Sequence, residues 1–387
     1  MFIHNRYLHT GGEDIVFANE KELLINSGEY EITEMEFSNE IFHERNLIHS
    51  LVLSSLIIFN PISFYKVYKK VKKDKIDIVH VHNFFYHATP SIFWAAKLAG
   101  ARTILTVHNY RLLCVGGNLL RKGRVCEKCL HSRTMTWGVL HRCFKKSFFK
   151  SFMLTGSNQV NRLIGTMTKK VDFYLSLTPF MSELLQFSSL RIPKEKIIEK
   201  ANFVNDFGFS SIEDRRDFYL YVGRLSKEKG IIQLLQSWSD IDAPLYIVGD
   251  GDLKNEVIEI VSQNKNIHFL GFKAQAEVNV LVRSCKALVF PSVWYEGMPM
   301  TILEAKSCGT IVIANRTKNI EHLVTHLADG ILYNGQIKEG IELFSGLSKT
   351  QFKLMMHQSR LDFDKRFNKQ VALSNLSQIY QKVIQVQ

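Results

Sequence analysis

Two glutamates, Glu296 and Glu304, stand with seven residues between them in a stretch whose character changes several times. Ala287-Leu-Val-Phe-Pro-Ser292 is apolar, has strand composition and stops at Pro and Ser. Pro299 suits a first helical position, where its missing N–H costs nothing, and Gly309 suits the residue just past a helix end. Glu296 is therefore expected before a helix and Glu304 well inside it, about 12 Å apart at roughly 1.5 Å per residue. That is too far for the roughly 5–5.5 Å carboxylate pair of a retaining glycosidase. It suits an extended ligand with a pyrophosphate in its middle, toward which free N–H groups from Gly297, Met298 and the helix start through Thr301 would point.

Cations and glycines stand where such a ligand needs them. Arg224 and Lys229 fall between an apolar run and a helical pattern, with Gly223 and Gly230 beside them, so charge compensation and close backbone approach are both available. Gly11-Gly12 reads either as a plain turn or as a loop whose missing Cβ atoms let a phosphate approach the backbone. His108 closes another apolar run and is expected at the carboxyl end of a strand, where ligands of doubly wound sheets bind. His80 and His82 alternate among apolar neighbours and read as structural. Asp250-Gly-Asp252 could hold a divalent ion beside a diphosphate. The same spacing recurs at Asp240/Asp242 and Asp362/Asp364, however, and Gly249 and Gly251 mark the first instance as a glycine loop.

These groups need a scaffold that presents strand ends. Apolar runs ending in Gly or polar residues recur at Asp77 to Asn83, Thr103 to His108, Phe218 to Arg224, Pro244 to Asp250, Ile267 to Gly271, Ala287 to Ser292 and Thr310 to Asn315, each followed by a helical pattern. That alternation predicts an α/β chain of parallel sheets covered by helices on both faces. Phe2-Ile-His reads as a short first strand, and Asn368 to Val386 as a closing helix. A length of 387 residues favours two domains, and 46% hydrophobic with 22% charged residues is enough to bury a sizeable core. The longest apolar run, Leu51 to Phe59, is too short to span a bilayer, and the first residues lack a signal-peptide pattern, so a cytoplasmic location is expected.

The net charge of +12 is concentrated: residues 61–150 hold 18 Lys and Arg against three acids, a local +15. Such a patch suits an anionic partner. Lys66, Lys69, Lys70, Lys72 and Lys73 interleave with Phe64, Tyr65, Val67, Tyr68 and Val71 as in an interfacial helix, and a second basic, aromatic stretch follows from Lys145 to Phe152. An anionic membrane surface is the expected partner; nucleic acid is not, because the segment lacks a complete finger or ribbon spacing. Within it Cys114, Cys126, Cys129 and Cys143 could close a structural zinc site or remain packed thiols.

Taken together, the motifs resemble the family-4 retaining glycosyltransferases of the GT-B fold. The resemblance rests on the Glu296/Glu304 pair, on Tyr221 to Gly230 (YVGRLSKEKG) and on Ile247 to Gly251 (IVGDG). His4 to Tyr7, Gly11 to Asp14, Val79 to Asn83 and Thr106 to Arg111 resemble a bacterial cell-surface polysaccharide branch. It implies two Rossmann-like doubly wound domains facing across a cleft. Residues 1–199 would bind the acceptor, residues 200–367 would bind the nucleotide-sugar, and the helix of 368–387 would pack back on the first domain. It also implies a UDP- or GDP-sugar donor, a lipid-linked saccharide acceptor, and no cofactor or metal in catalysis. Arg224, Lys229, Glu296 and His108 would be the catalytic set. Gly11, Gly12, Gly223, Gly249, Gly297, Met298, Pro299 and Glu304 would complete the donor site, with Glu304 on the ribose and Glu296 on the transferred sugar. A nucleotide-sugar epimerase or hydrolase on the same fold is the alternative, with a nucleic-acid-binding protein the more remote one.

Overall fold

The computed structural model describes residues 1–7, 11–42 and 56–385. The chain forms two compact units, one of Met1–Leu119, Cys126–Ala201 and Ala372–Gln387, the other of Leu120–Val125 and Asn202–Val371. Part of the apolar run from Leu51 to Phe59 lies outside the described residues, as does Val386 at the end of the expected closing helix. No helix among the described residues is long and apolar enough to cross a membrane.

The first unit is built on six parallel strands: β1 (Phe2–Arg6), β2 (Glu34–Ser38), β3 (Ile78–Val81), β4 (Arg102–Val107), β5 (Phe173–Ser176) and β6 (Ile197–Glu199), in the order β2-β1-β3-β4-β5-β6. β1 is longer than Phe2-Ile-His suggested, because Asn5 and Arg6 continue its register against Phe37 and Ser38. Strand order reverses direction between β1 and β3, which makes the carboxyl ends of those two strands the switch point where open α/β sheets bind ligands. Helix α1 (Gly12–Ser27) starts there. Helix α2 (Pro61–Asp74) is capped by the Asn60 side chain, whose Oδ1 accepts from Ile62 and Ser63 N–H.

The second unit repeats the scheme with β7 (Tyr219–Val222), β8 (Leu245–Val248), β9 (Ile267–Gly271), β10 (Ala287–Phe290), β11 (Ile311–Asn315) and β12 (Gly330–Tyr333). All are parallel, in the order β9-β8-β7-β10-β11-β12, so the switch point lies between β7 and β10. Every residue of β10 is buried, which is why its sequence is continuously apolar rather than alternating. Tyr219, Leu234, Trp238, Ile247, Val289, Ile313 and Ile331 anchor the core, each contributing on the order of 1.5–3 kcal/mol by burial. Helix α3 (Met300–Ser307) follows β10, with Pro299 as its N-cap and Gly309, at φ 66°, just beyond its end.

The last helix, α4 (Lys369–Gln385), buries Leu376, Ile379, Tyr380 and Val383 against Phe2, Phe17, Leu24, Ile104 and Leu175 in the first unit's core.

Candidate active site

At the second unit's switch point two loops emerge together. After β7, Gly223 N–H donates to Val248 O at 3.1 Å, and Leu225 N–H donates to Asp250 O at 2.9 Å. The loop after β7 and the glycine loop after β8 are thereby laced backbone to backbone. The lacing explains the glycines: Gly249 has φ 145°, and a Cβ there would come within 1.9 Å of Gly223 O; at Gly251 it would meet Leu225 O at 2.5 Å. At Gly249, expected in the donor site, the missing Cβ makes room for the Gly223 carbonyl. Asp250, read as a rival metal ligand, accepts from Gly251 N–H at 2.8 Å and pairs with Lys254 at 3.1 Å.

The turn Lys227–Lys229 ends at Gly230, whose φ of 71° and contact with Pro291 O leave no room for a Cβ. The turn is thereby pinned to the end of β10, and Val293 N–H donates to Glu228 O at 3.0 Å. The result joins two residues 67 apart in sequence: Lys229 Nζ lies 2.7 Å from Glu296 Oε1. Ser292 Oγ donates to the same oxygen at 2.6 Å, and the Asn319 side chain donates to the Glu296 carbonyl at 2.6 Å. Lys229 also sits 5.9 and 5.8 Å from the rings of Phe290 and Trp294.

Around this pair, Arg224 is exposed. Its carbonyl is held by Tyr221 Oη at 2.9 Å, while its guanidinium makes no hydrogen bond or ion pair among the described residues. Met298 is buried, with Sδ taking Asn202 N–H at 3.1 Å. Glu304 does not use Lys306 or Arg316, the cations nearest in sequence. Lys306 is committed to Asp329 and Asp362, and Arg316 to Glu321. Glu304 instead accepts from Gln275 Nε2 at 3.0 Å, and burial pushes its carboxyl up to about 7.

In the first unit the strand ends carry a different set. Gly11 N–H donates to Asp14 Oδ2 at 2.7 Å, closing the start of α1, and Asp14 Oδ1 meets His4 Nε2 at 2.8 Å. Among the described residues, a Cβ on Gly12 would meet nothing within 4 Å and one on Gly11 only Asp14 Oδ2 at 3.8 Å. His108, just past β4, has Nε2 3.0 Å from His82 Nδ1. Burial, with Lys200 and His4 nearby, lowers its pKa to about 3, so the imidazole is neutral near pH 7.

Several groups here escaped sequence reasoning. Glu13, half-buried, accepts from Asn83 at 3.2 Å and Asn109 at 3.1 Å, and burial raises its carboxyl to about 7. Arg111 donates to Tyr7 Oη at 3.0 Å and Tyr86 Oη at 2.8 Å, with the Tyr7, Tyr86 and Phe144 rings 5.3–5.8 Å away. Glu20 is fully buried and ion-paired with Lys200. Its signal was present: an acid on the same helical stripe as Phe17 and Leu24 needs a partner inside.

The cysteine segment forms a compact knot of turns. Cys126 N–H donates to Leu119 O at 2.7 Å and Cys143 N–H to Gly138 O at 2.9 Å. Cys129 is buried and its thiol is pushed up to about 11 by burial, with the other three thiols adding to the shift. All four are free thiols, near enough to one another for Cys114, Cys126 and Cys143 each to act on Cys129.

The basic helix α2 spends most of its apolar residues on packing. Val67 and Val71 are buried and Phe64 and Tyr68 half-buried, which leaves Tyr65 and Ile62 exposed beside Lys66, Lys69, Lys72 and Lys73. Lys70 pairs with Asp74. The helix Phe148–Leu163 exposes more: Phe148, Phe149 and Phe152 are 53, 46 and 55% accessible beside Lys150.

Similarity to known proteins agrees with this geometry. Residues 204–354 match the Glycosyl transferases group 1 family. Over 90% of its length the chain is 24% identical to an uncharacterized glycosyltransferase of Methanocaldococcus jannaschii, covering 87% of that protein. It is 25% identical over 70% of its length to the UDP-Gal:alpha-D-GlcNAc-diphosphoundecaprenol alpha-1,3-galactosyltransferase of Escherichia coli, covering 65% of that protein. Among solved structures, Anabaena HepE in complex with UDP superposes with a TM-score of 0.67 at 14% identity, covering 98% of this chain and 99% of HepE. The fold is thus that of the GT-B glycosyltransferases, and the part of the second unit from 204 to 354 resembles the Glycosyl transferases group 1 family.

Proposed function

We propose that the protein is a retaining glycosyltransferase that moves a sugar from a nucleoside-diphosphate donor to a lipid-linked saccharide in surface-polysaccharide assembly. The observation that carries this reading is the Lys229–Glu296 pair at the switch point of the second sheet, beside the exposed Arg224 and the start of α3. In this reading Arg224 and Lys229 face the diphosphate, and the N–H groups of Gly297 to Thr301 add partial positive charge. Glu296 holds hydroxyls of the transferred sugar and Glu304 those of the ribose. The missing Cβ atoms of Gly11 and Gly12 leave room for the donor phosphate beside the Gly12 backbone, the Gly11 N–H being taken by Asp14, and His108 accepts a sugar hydroxyl. The bond from the anomeric carbon to the phosphate oxygen breaks as the acceptor hydroxyl adds on the same face. The acceptor proton passes to the departing phosphate oxygen, whose charge the two cations stabilise. No divalent ion is required, because those cations occupy its role.

The reading draws support from the UDP bound to HepE and from the diphosphoundecaprenol acceptor in the name of the Escherichia coli relative. It is tested by presenting labelled UDP- and GDP-sugars with polyprenyl-diphosphate-linked saccharides, with and without EDTA. The expected product keeps the donor's anomeric configuration and forms in EDTA. Free sugar released equally without acceptor would make the protein a hydrolase. Activity abolished by EDTA and restored by manganese would return Asp250 and Asp252 to the metal role.

The acceptor's lipid places the enzyme at the cytoplasmic face of the cell membrane, held by the lysines of α2 and by Phe148, Phe149, Lys150 and Phe152. Each cation near an anionic surface contributes about 1 kcal/mol. Cosedimentation with anionic but not zwitterionic vesicles is expected, weakening as the Debye length falls from about 10 Å at 0.1 M salt to about 3 Å at 1 M. Protein that stays in the supernatant with anionic vesicles at low salt refutes the membrane reading.

A further inference from the structure

The first unit buries an unusual density of titratable groups behind His108: Glu20, His80 and His82 are all 2% exposed or less, and Lys200 is 3% exposed. They are ordered as a chain. His108 Nε2 lies 3.0 Å from His82 Nδ1, His82 Nε2 lies 3.6 Å from Glu20 Oε2, and Glu20 Oε1 is ion-paired with Lys200. Among the described residues neither His82 Nε2 nor Glu20 Oε2 makes a hydrogen bond, so each has only the other facing it. We propose that Glu20, acting through His82, fixes His108 in the tautomer that carries its proton on Nε2 and presents an unprotonated Nδ1 as a hydrogen-bond acceptor. Glu20 and His82 are then positioning residues for the sugar contact assigned above to His108, and the inference rests on that assignment for its functional meaning only.

The argument is one of proton counting. The two rings share a nitrogen–nitrogen contact that needs one proton, and both are neutral near pH 7, because burial depresses His82 as well as His108. If His82 donated from Nδ1, its Nε2 lone pair would face the carboxylate oxygen across 3.6 Å of protein interior, an unfavourable arrangement of two electron-rich atoms. With the proton on His82 Nε2 the N–H points at that oxygen, Nδ1 becomes the acceptor, and His108 Nε2–H is the donor. His108 Nδ1 is left unprotonated. His80 is not free to interfere, since its two nitrogens already meet Tyr380 Oη at 2.8 Å and Thr106 Oγ1 at 2.7 Å. Glu20, His80 and His82 could also be read as a metal site, their ligand atoms lying within 4.8 Å of one another. The Lys200 ammonium against Glu20 argues against a second cation there, as does the satisfied state of His80.

The test is the ring nitrogen spectrum of the full chain labelled with 15N-histidine, with His108 assigned by its loss in His108→Gln. The expected wild-type pattern at pH 7.5 is protonated Nε2 and unprotonated Nδ1; an Nδ1–H tautomer or an imidazolium overturns the proposal. Glu20→Gln should reverse the pattern. Its amide oxygen must turn to Lys200, which has only donors, so its NH2 faces His82 Nε2 and drives the proton onto His82 Nδ1. Transfer activity should fall at least tenfold with it, and a folded Glu20→Gln protein with an unchanged tautomer overturns the relay. Stoichiometric zinc in the purified wild-type protein, lost in His82→Ala, would also overturn it in favour of the metal site. Should His108→Ala transfer sugar at the wild-type rate while the tautomers come out as expected, the relay stands and the assignment of His108 to the sugar falls.

Discussion

The two switch points handle charge in opposite ways. In the second unit the ionic groups sit at loop ends: Arg224 is exposed, and Lys229 meets Glu296 with 19 and 7% of their side chains still accessible. In the first unit the corresponding strand ends back onto buried histidines, a fully buried glutamate and a buried lysine, and the cations there are held by partners, Arg6 by Glu36 and Arg111 by the Tyr7 and Tyr86 hydroxyls. Their glycines differ in parallel. Gly230, Gly249 and Gly251 are required by backbone packing, whereas among the described residues a Cβ on Gly12 meets nothing and one on Gly11 only Asp14 Oδ2 at 3.8 Å. The second unit thus leaves at its switch point a cation, Arg224, unpaired among the described residues, which under the proposed function faces a phosphate, whereas the first unit's cations are paired and His108 is neutral, which under the same proposal suits a hydroxyl.

The comparison can be broken most sharply at the glycines. Gly249→Ala should destabilise the protein by several kcal/mol, on the order of 4 or more, because its Cβ would lie 1.9 Å from Gly223 O. Gly12→Ala should change stability by less than about 0.5 kcal/mol while weakening donor use. Denaturant titration measures both, and equal losses would erase the distinction. Next in size, Lys229→Ala and Glu296→Ala should each lower kcat by at least tenfold and toward 100-fold, about 1.4–2.7 kcal/mol, with circular dichroism unchanged. Wild-type turnover in both would remove the basis of the site.

A smaller effect is expected with pH. Glu304 in the second unit and Glu13 in the first both have carboxyls raised by burial from 4.5 to about 7. A carboxyl raised on folding holds its proton more tightly in the folded state. The stability it supports is fully present below about pH 4.5 and declines as pH rises through about 7. Melting temperature should therefore drop between pH 5 and 8, and Glu304→Gln and Glu13→Gln should each flatten the slope. If only one does so, the two carboxyls are not equivalent as their burial implies. Smallest of all, Tyr221→Phe removes the 2.9 Å bond to Arg224 O and should cost about 0.5–1.5 kcal/mol by thermal melting. A larger loss of activity than of stability would mean that this bond orients the Arg224 loop.

Much of the fold was readable where strands are buried on both faces, as at Ala287–Phe290 and Ile311–Asn315, because a short, continuous apolar run bounded by Gly, Pro or polar residues suits a fully buried strand and is too short for a buried helix. Glu34–Ser38 escaped because an edge strand alternates acids with apolar residues and its pairing to β1 is invisible locally. Gly330–Tyr333, another edge strand, is four residues long and opens on a glycine that strand propensity disfavours. In the site, Arg224, Lys229, Glu296 and Glu304 were legible by type and spacing. The partners of Glu304 and Lys306 were not, because the fold brings Gln275 to one and Asp329 and Asp362 to the other from distant parts of the chain.

By itself the sequence determined that strand ends would carry these cations, glutamates and glycines, since apolar periodicity and turn chemistry are local properties. Only the tertiary structure decided that Lys229 meets Glu296, that Gly249 is locked by Gly223 rather than kept free, and that Glu20 stands behind His82 and His108. Those contacts join residues tens of positions apart through parallel strand pairing. Their consequences for charge depend on burial, which no local stretch of sequence specifies.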